Sequence, residues 1–134
     1  MHVSEVMHKG IVSATSVDSV RKVAKLMKQE DIGAIPIIEK GKAVGFVTDR
    51  DIVVKCIASG QSLDGPVSQV MSHKVISINQ DQEVEEASRL MQQNKVSRIL
   101  VTDKDNHAVG MIGLQNLAKK DISEVADTLY KIKQ

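Results

Sequence analysis

The sequence predicts an α/β (α+β) fold built from two β-α-β-β-α repeats packed on each other, and three observations predict it. Val3-Ser4-Glu5-Val6-Met7 returns as Val67-Ser68-Gln69-Val70-Met71. The match stays in register from Val20 and Leu26-Met27 to Val84 and Leu90-Met91, and one inserted residue near Asn106 and His107 realigns Ala43-Val44-Gly45 with Ala108-Val109-Gly110. A period of roughly 64 residues is too long for a solenoid unit and suits two small α/β subdomains that cover each other's open faces. A repeat of roughly 55 residues alone would hold only a marginal core. The 134 residues are therefore expected to fold as one body, with function at the seam between repeats.

Within the first repeat, expected over 1–58, Ile11-Val12-Ser13-Ala14 reads as a short extended segment. A helix follows, with Asp18 as its cap and Val20, Val23, Ala24 and Met27 on one face. Ala34-Ile35-Pro36-Ile37-Ile38 and Ala43-Val44-Gly45-Phe46-Val47 read as a hairpin turning at Glu39-Lys40-Gly41-Lys42. Pro36 costs a ladder bond, which places that strand at an edge or Pro36 at its start. Asp49 to Ala58 reads as a second helix closed by Ser59-Gly60. Residues 59–66 have linker composition. The second repeat, 67–120, copies the order with Val75–Ile78, a helix from about Gln82 to Gln93, Arg98–Val101, Val109–Ile112 and a helix from near Leu114. The tail, 121–134, places Ile122, Val125, Leu129 and Ile132 at helical spacing. It is expected to fold back on its own domain, a dimer contact being the other reading.

Composition removes several function classes. A net charge of +1 gives no electrostatic footprint for nucleic acid, and two aromatics, Phe46 and Tyr130, leave few stacking platforms for a single strand. The lone Cys56 excludes an intramolecular disulfide and any cysteine zinc cage and fits a reducing, cytoplasmic setting. No stretch approaches the roughly 18 apolar residues of a membrane span, and the N-terminus lacks a signal-peptide core. His2, His8, His73 and His107 show none of the short spacings that chelate metals, so no metal site is expected. No arrangement suggests nucleophilic or acid–base catalysis, so no catalytic residues and no enzyme activity are expected.

The chemistry concentrates in Gly45-Phe46-Val47-Thr48-Asp49-Arg50-Asp51-Ile52, a strand running into a helix. Such a junction is expected to present free backbone N–H groups to an anion, with Gly45 permitting close approach. Arg50 would add a guanidinium fork for phosphate and Asp51 an acceptor for ribose hydroxyls. The alternative is plain helix capping, since Thr48 and Asp51 have capping-box spacing. The second copy, Gly110 to Asn116, bears on this: Gly113 and Asn116 replace the hydroxyl and the carboxylate, yet a helix must still begin there.

The repeated Val-Ser-x-Val-Met openings, the β-α-β-β-α order and the Gly-Phe-Val-Thr-Asp-Arg-Asp turn together resemble a tandem pair of CBS (cystathionine-β-synthase) domains, a Bateman module, over about residues 3–120. The resemblance implies a stand-alone, pseudo-twofold module with two clefts that bind adenosine compounds such as AMP, ADP, ATP or S-adenosylmethionine. It implies that Asp51 holds the ribose, with Thr48 and Arg50 beside ribose and phosphate. It places adenine against Phe46 and Lys74-Val75-Ile76, with Arg98 as a second anion candidate. Gly113, Asn116 and Leu100, the last in place of a proline, depart from the pattern, so one good site per chain is expected.

Ligand occupancy is then expected to change the angle between repeats and to be read by a protein target the sequence does not name. The resemblance also implies pairing into flat homodimers. Basic Arg21, Lys22, Lys25 and Lys28 on the first helix and acidic Glu83, Glu85 and Glu86 on its counterpart read first as solvated faces; the other reading is that their opposite charges favour head-to-tail pairing. The rival functions are a ligand-free dimerisation scaffold and a redox effector acting through Cys56, although Cys56 shares a helix face with Ile52 and reads first as a small buried hydrophobe.

Overall fold

The computed structural model describes residues 1–117 and 122–133. The elements are α1 (Val3–Val6), β1 (His8–Lys9), α2 (Val20–Glu30), β2 (Ala34–Glu39), β3 (Lys42–Thr48), α3 (Asp49–Asp51, widening into a π-helix over Ile52–Ile57), β4 (Ser77–Asn79), α4 (Val84–Asn94), β5 (Arg98–Thr102), β6 (Ala108–Gly113), α5 (Leu114–Leu117) and α6 (Ile122–Lys133). The fold class is the expected mixed α/β one. The expected division at residues 120–121 and the side chains of Ile122 and Val125 lie outside the described residues.

The chain forms two compact units whose boundaries are offset from the sequence repeats. One unit is Val12–Val75; the other joins Met1–Ile11 to Ile76–Gln134. Each repeat's Val-Ser-x-Val-Met opening therefore packs with the body of the other repeat. Val67 and Val70 lie in the core with Val20, Val23, Ile35, Ile37 and Val47. Val3 and Val6 lie in the other core with Val84, Met91, Ile99 and Ile112. Burying one such valine contributes about 1.5–3 kcal/mol, enough to hold a short segment in place.

In the Val12–Val75 unit, β2 and β3 form an antiparallel hairpin turned by Lys40 (φ 53°) and Gly41 (φ 81°). Both positive φ angles match the strands' right-handed twist. Isolated bridges extend the pair on both sides, Ala14 beside Ile37 and Ser72 beside Phe46. The expected strand at Ile11–Ala14 is thus reduced to the one bridging residue. Pro36 is neither at an edge nor at a strand start. It lies inside β2, between β3 and Ala14, where its carbonyl accepts from Ala14 N–H and Ile38 N–H bonds to the Ala14 carbonyl. Its missing N–H faces the side where the Ala14 bridge has run out, so no ladder bond is lost. Ser19, rather than Asp18, caps α2: its Oγ accepts from Lys22 N–H at 3.0 Å, while Asp18 accepts from Thr15 N–H and Lys22 Nζ. The 59–66 segment is tied down, with the Leu63 and Gly65 carbonyls accepting from Arg21 and Val20 N–H at the start of α2.

The other unit has a four-stranded mixed sheet in the order β1-β6-β5-β4, parallel only between β4 and β5. The row order is the same as in the hairpin unit, with β1 and β4 where Ser72 and Ala14 stand. The tail helix α6 folds back onto α4, as expected. Thr128 is fully buried and hydrogen-bonds Ser88, Gln92 Nε2 donates to both, and Ile132 packs on the core.

The charges expected to drive head-to-tail pairing are mostly engaged within their own units. Arg21 pairs with Asp64, Lys22 with Asp18, Glu86 with Arg89, and Glu83 with Met1 and His2.

Candidate functional site

The turn from β3 into α3 is closed by its own side chains. Thr48 N–H donates to Asp51 Oδ2 at 2.9 Å and Asp51 N–H to Thr48 Oγ1 at 3.0 Å, a complete capping box. Asp49 N–H donates to the Gly33 carbonyl at 2.9 Å, and Arg50 N–H to Asp49 Oδ1 at 2.8 Å. Every first-turn amide of α3 therefore has an acceptor. This overturns the expected set of free N–H groups for an anion; the reason is that the Gly33 carbonyl, Asp49 and Thr48 satisfy them locally. The space Gly45 leaves is also filled. A Cβ there would lie 2.6 Å from the Ser72 carbonyl oxygen, so the close approach serves backbone packing.

Asp51 has a further partner that the sequence reading did not name. Lys55 Nζ lies 3.1 Å from Asp51 Oδ1, with the Asp51 side chain 16% exposed and that of Lys55 49%. The signal was present as i,i+4 spacing on a helix. One carboxylate oxygen thus takes an amide and the other an ammonium. A carboxylate offers about four lone-pair sites, so acceptor capacity for two hydroxyls is left.

Phe46 is half-buried and exchanges both backbone hydrogen bonds with Ser72, at 2.9 and 2.8 Å. Two residues on, exposed Lys74 bonds Ser72 Oγ through its N–H, and Val75 ends the unit. The structure thus gathers Phe46, Thr48, Arg50, Asp51, Lys74 and Val75 into one unit, and Arg50 is exposed there. Ile76 and Arg98 belong to the other. Ile76 packs on that unit's core and accepts from Leu100 N–H, while exposed Arg98 opens β5 opposite Gly113.

The corresponding turn of the second repeat keeps part of this arrangement. Gly113 N–H donates to Asn116 Oδ1 at 2.7 Å, and Leu114 N–H to the Ser97 carbonyl, just as Asp49 bonds Gly33. The buried Asn116 therefore starts the helix without a charge or a hydroxyl partner.

Two further features bear on chemistry. Asp103, Asp105 and His107, in the β5–β6 turn, bring ligand atoms within 4.8 Å of one another. The sequence reading passed over this Asp-x-Asp-x-His spacing. Asp103 Oδ1 accepts from the N–H groups of Asp105 and His107, and these bonds hold its carboxyl below the usual range and shape the turn. Cys56 is fully buried, its Sγ 3.6 Å from the Gln61 carbonyl, in keeping with the packing role rather than the redox one. No helix among the described residues is long and apolar enough to cross a membrane.

The CBS domain family model matches residues 3–57 and 67–123. The chain is 36% identical over 121 residues to the CBS domain-containing protein YhcV of Bacillus subtilis, covering 90% of this chain and 86% of that protein. Among solved structures, the CBS domain protein PAE2072 from Pyrobaculum aerophilum, complexed with AMP, superposes with a TM-score of 0.81 at 20% identity, covering 97% and 99% of the two chains. The CBS domain pair of protein MJ0100, in complex with 5′-methylthioadenosine and S-adenosyl-L-methionine, gives 0.76 at 24% identity, covering 89% and 94%. At these identities the superpositions speak to fold, whereas the family model and YhcV speak to descent. A chain matched over both repeats, with the strand-to-helix turn and the repeated openings in place, belongs to the CBS domain family as a tandem CBS pair.

Proposed function

We propose that this chain is a non-enzymatic, cytoplasmic regulatory module that binds an adenosine compound of the AMP, ADP, ATP or S-adenosylmethionine class and changes shape for a protein target. The observation that carries the reading is the Asp51 carboxylate, held rigid by Thr48 N–H and still able to accept from two hydroxyls. Proteins of the same fold solved with AMP, and with 5′-methylthioadenosine and S-adenosyl-L-methionine, support it. Phe46 would carry the base, and Thr48 and Arg50 would flank ribose and phosphate. Lys74 and Val75, in the same unit, would complete the contact.

The closed capping box favours a second reading, a scaffold that binds no ligand, because Thr48 and Asp51 already have a structural task. Thermal unfolding against a panel of AMP, ADP, ATP, S-adenosylmethionine, NAD and GTP separates the two. A ligand at a hundred times its dissociation constant adds about 2.7 kcal/mol, a midpoint rise of several degrees. Asp51→Ala should weaken binding about ten- to a hundredfold, since a hydrogen bond to a charged acceptor contributes roughly 1.5–3 kcal/mol. A flat panel would leave the scaffold.

The working form is proposed to be a homodimer. Val53, Val54 and Ile57 on the π-helix, exposed at 55%, 46% and 58%, offer the apolar face for it.

A further inference from the structure

We propose that Lys55 is the charge-selecting residue of this site and gives it a preference for a phosphorylated adenosine ligand over one that is uncharged or carries a sulfonium. The inference rests on the adenosine-binding reading above and names the ligand class within it.

The backbone cannot make that selection. The amides of Asp49, Arg50 and Asp51 all have acceptors, at 2.9, 2.8 and 3.0 Å, so none is left for a phosphate oxygen. The side chains of the turn start from the wrong sign, since Asp49 and Asp51 place two carboxylates there and both repel an anion. Whether a phosphate is admitted therefore depends on which cation stands beside the ribose acceptor.

Two cations are near in sequence, and helical geometry separates them. Arg50, proposed above to flank the phosphate, projects about 100° around the axis from Asp51 and would approach from the side, whereas Lys55, four residues on, shares the face of the ribose acceptor. The structure shows the outcome: Lys55 Nζ is 3.1 Å from Asp51 Oδ1. An ammonium has three donors, and Asp51 engages one. Because Asp51 keeps two free lone-pair sites, the ribose need not displace Lys55. The ammonium stays beside the sugar, half-exposed and on a flexible four-carbon stem that can follow the 5′ substituent. A phosphate at that position gains a partner. A thioether gains nothing, and a sulfonium is repelled.

The test is calorimetric titration of the full chain with AMP and with 5′-methylthioadenosine, which share the adenosine and differ in 5′ charge. Wild type should bind AMP more tightly. Lys55→Gln should lower the AMP to methylthioadenosine affinity ratio about tenfold, the scale of one lost charged hydrogen bond. Lys55→Arg, which keeps the charge, should hold the ratio within about threefold of wild type. If wild type binds the two equally, or if Lys55→Gln leaves the ratio unchanged while Asp51→Ala weakens both ligands, Lys55 selects nothing and the adenosine site stands. If wild type binds neither ligand, the adenosine reading fails and this inference with it.

Discussion

In the Val12–Val75 unit the strand-to-helix turn ends on Thr48 and Asp51, with Lys55 behind them; in the other unit the same turn ends on Gly113 and Asn116. Around these turns the backbone hydrogen bonds are duplicated. Val67 N–H to the Asp18 carbonyl repeats as Val3 N–H to Gln82, Ser68 to Ser16 as Ser4 to Gln80, and Asp49 to Gly33 as Leu114 to Ser97. A frame made of backbone bonds tolerates almost any side chain, so it survives divergence between the copies. Starting α5 needs only one side-chain bond, from Gly113 N–H to Asn116. The charge and the lysine of the first turn exceed what starting a helix requires, and that surplus supports the proposed ligand reading.

The strongest challenge to this equivalence is to close the gap on which both frames depend. A Cβ at Gly45 would stand 2.6 Å from the Ser72 carbonyl oxygen, and one at Gly110 2.6 Å from that of His8. Neither neighbour is a flexible side-chain tip that could swing away. Gly45→Ala and Gly110→Ala should each destabilise by about 3 kcal/mol, the upper end of what overpacking usually costs, read as a lower urea midpoint. If one were harmless, the two opening segments would not be held alike and the duplicated frame would be only apparent.

That frame also marks where sequence reasoning succeeds and where it stops. The repeat, the element order and the hairpin at Lys40-Gly41 follow from periodicity and turn chemistry, which are local. Which unit receives each Val-Ser-x-Val-Met opening is a question of partners some 64 residues away, and a repeat is silent about it because both answers give the same sequence. The cap of α2 was misplaced by one residue because Asp18 and Ser19 are both good caps; Ser19 takes the role while Asp18 binds Thr15 and Lys22. At the candidate site, the capping-box pairing of Thr48 and Asp51 was legible from spacing, whereas Phe46 entered through the family resemblance. The loss of the Asp49 amide was not legible, because its acceptor is the Gly33 carbonyl, on the far side of the hairpin.

The units differ next in their helical faces. On α4, Ser88 and Gln92 hold Thr128 of α6. Their counterparts on α2 are Ala24 and Lys28, and Ala24 has no polar side-chain atom to reproduce those bonds; Val53, Val54 and Ile57, on the π-helix that contacts α2, stay exposed. For the proposed homodimer the Val12–Val75 unit therefore offers the larger apolar face among the described residues. Replacing Val53 and Ile57 together by Glu should weaken dimerisation roughly a hundredfold, as loss of central apolar anchors does, and sedimentation would show monomer. Leu129→Glu with Tyr130→Glu, also exposed but on α6, should leave the dimer intact. Dissociation by the α6 pair instead would move the interface to the other unit.

The smallest difference concerns acid. In the Val12–Val75 unit three carboxyls lie below their ordinary values: Asp18 through Thr15 N–H, Glu39 through the Ser16 hydroxyl and N–H, and Asp64 through the Arg21 guanidinium. In the other unit Glu86 beside Arg89 and Asp103 beneath the His107 and Asp105 amides are low likewise. A carboxyl whose folded pKa is depressed binds fewer protons folded than unfolded. Its stabilisation is complete above the unfolded value, near 3.8 for Asp and 4.5 for Glu, and is lost as pH falls through the folded value. Both units should thus weaken below about pH 4.5, by small amounts because these groups are solvent-screened. Amide exchange on lowering the pH should rise first in the Val12–Val75 unit, whose Ser16–Glu39 tie fixes the approach to Ala14 and α2. Glu39→Gln should remove part of that dependence. If exchange rose first around Asp103 instead, the β5–β6 turn would be the acid-sensitive point, and three shifted carboxyls would count for less than one that shapes a turn.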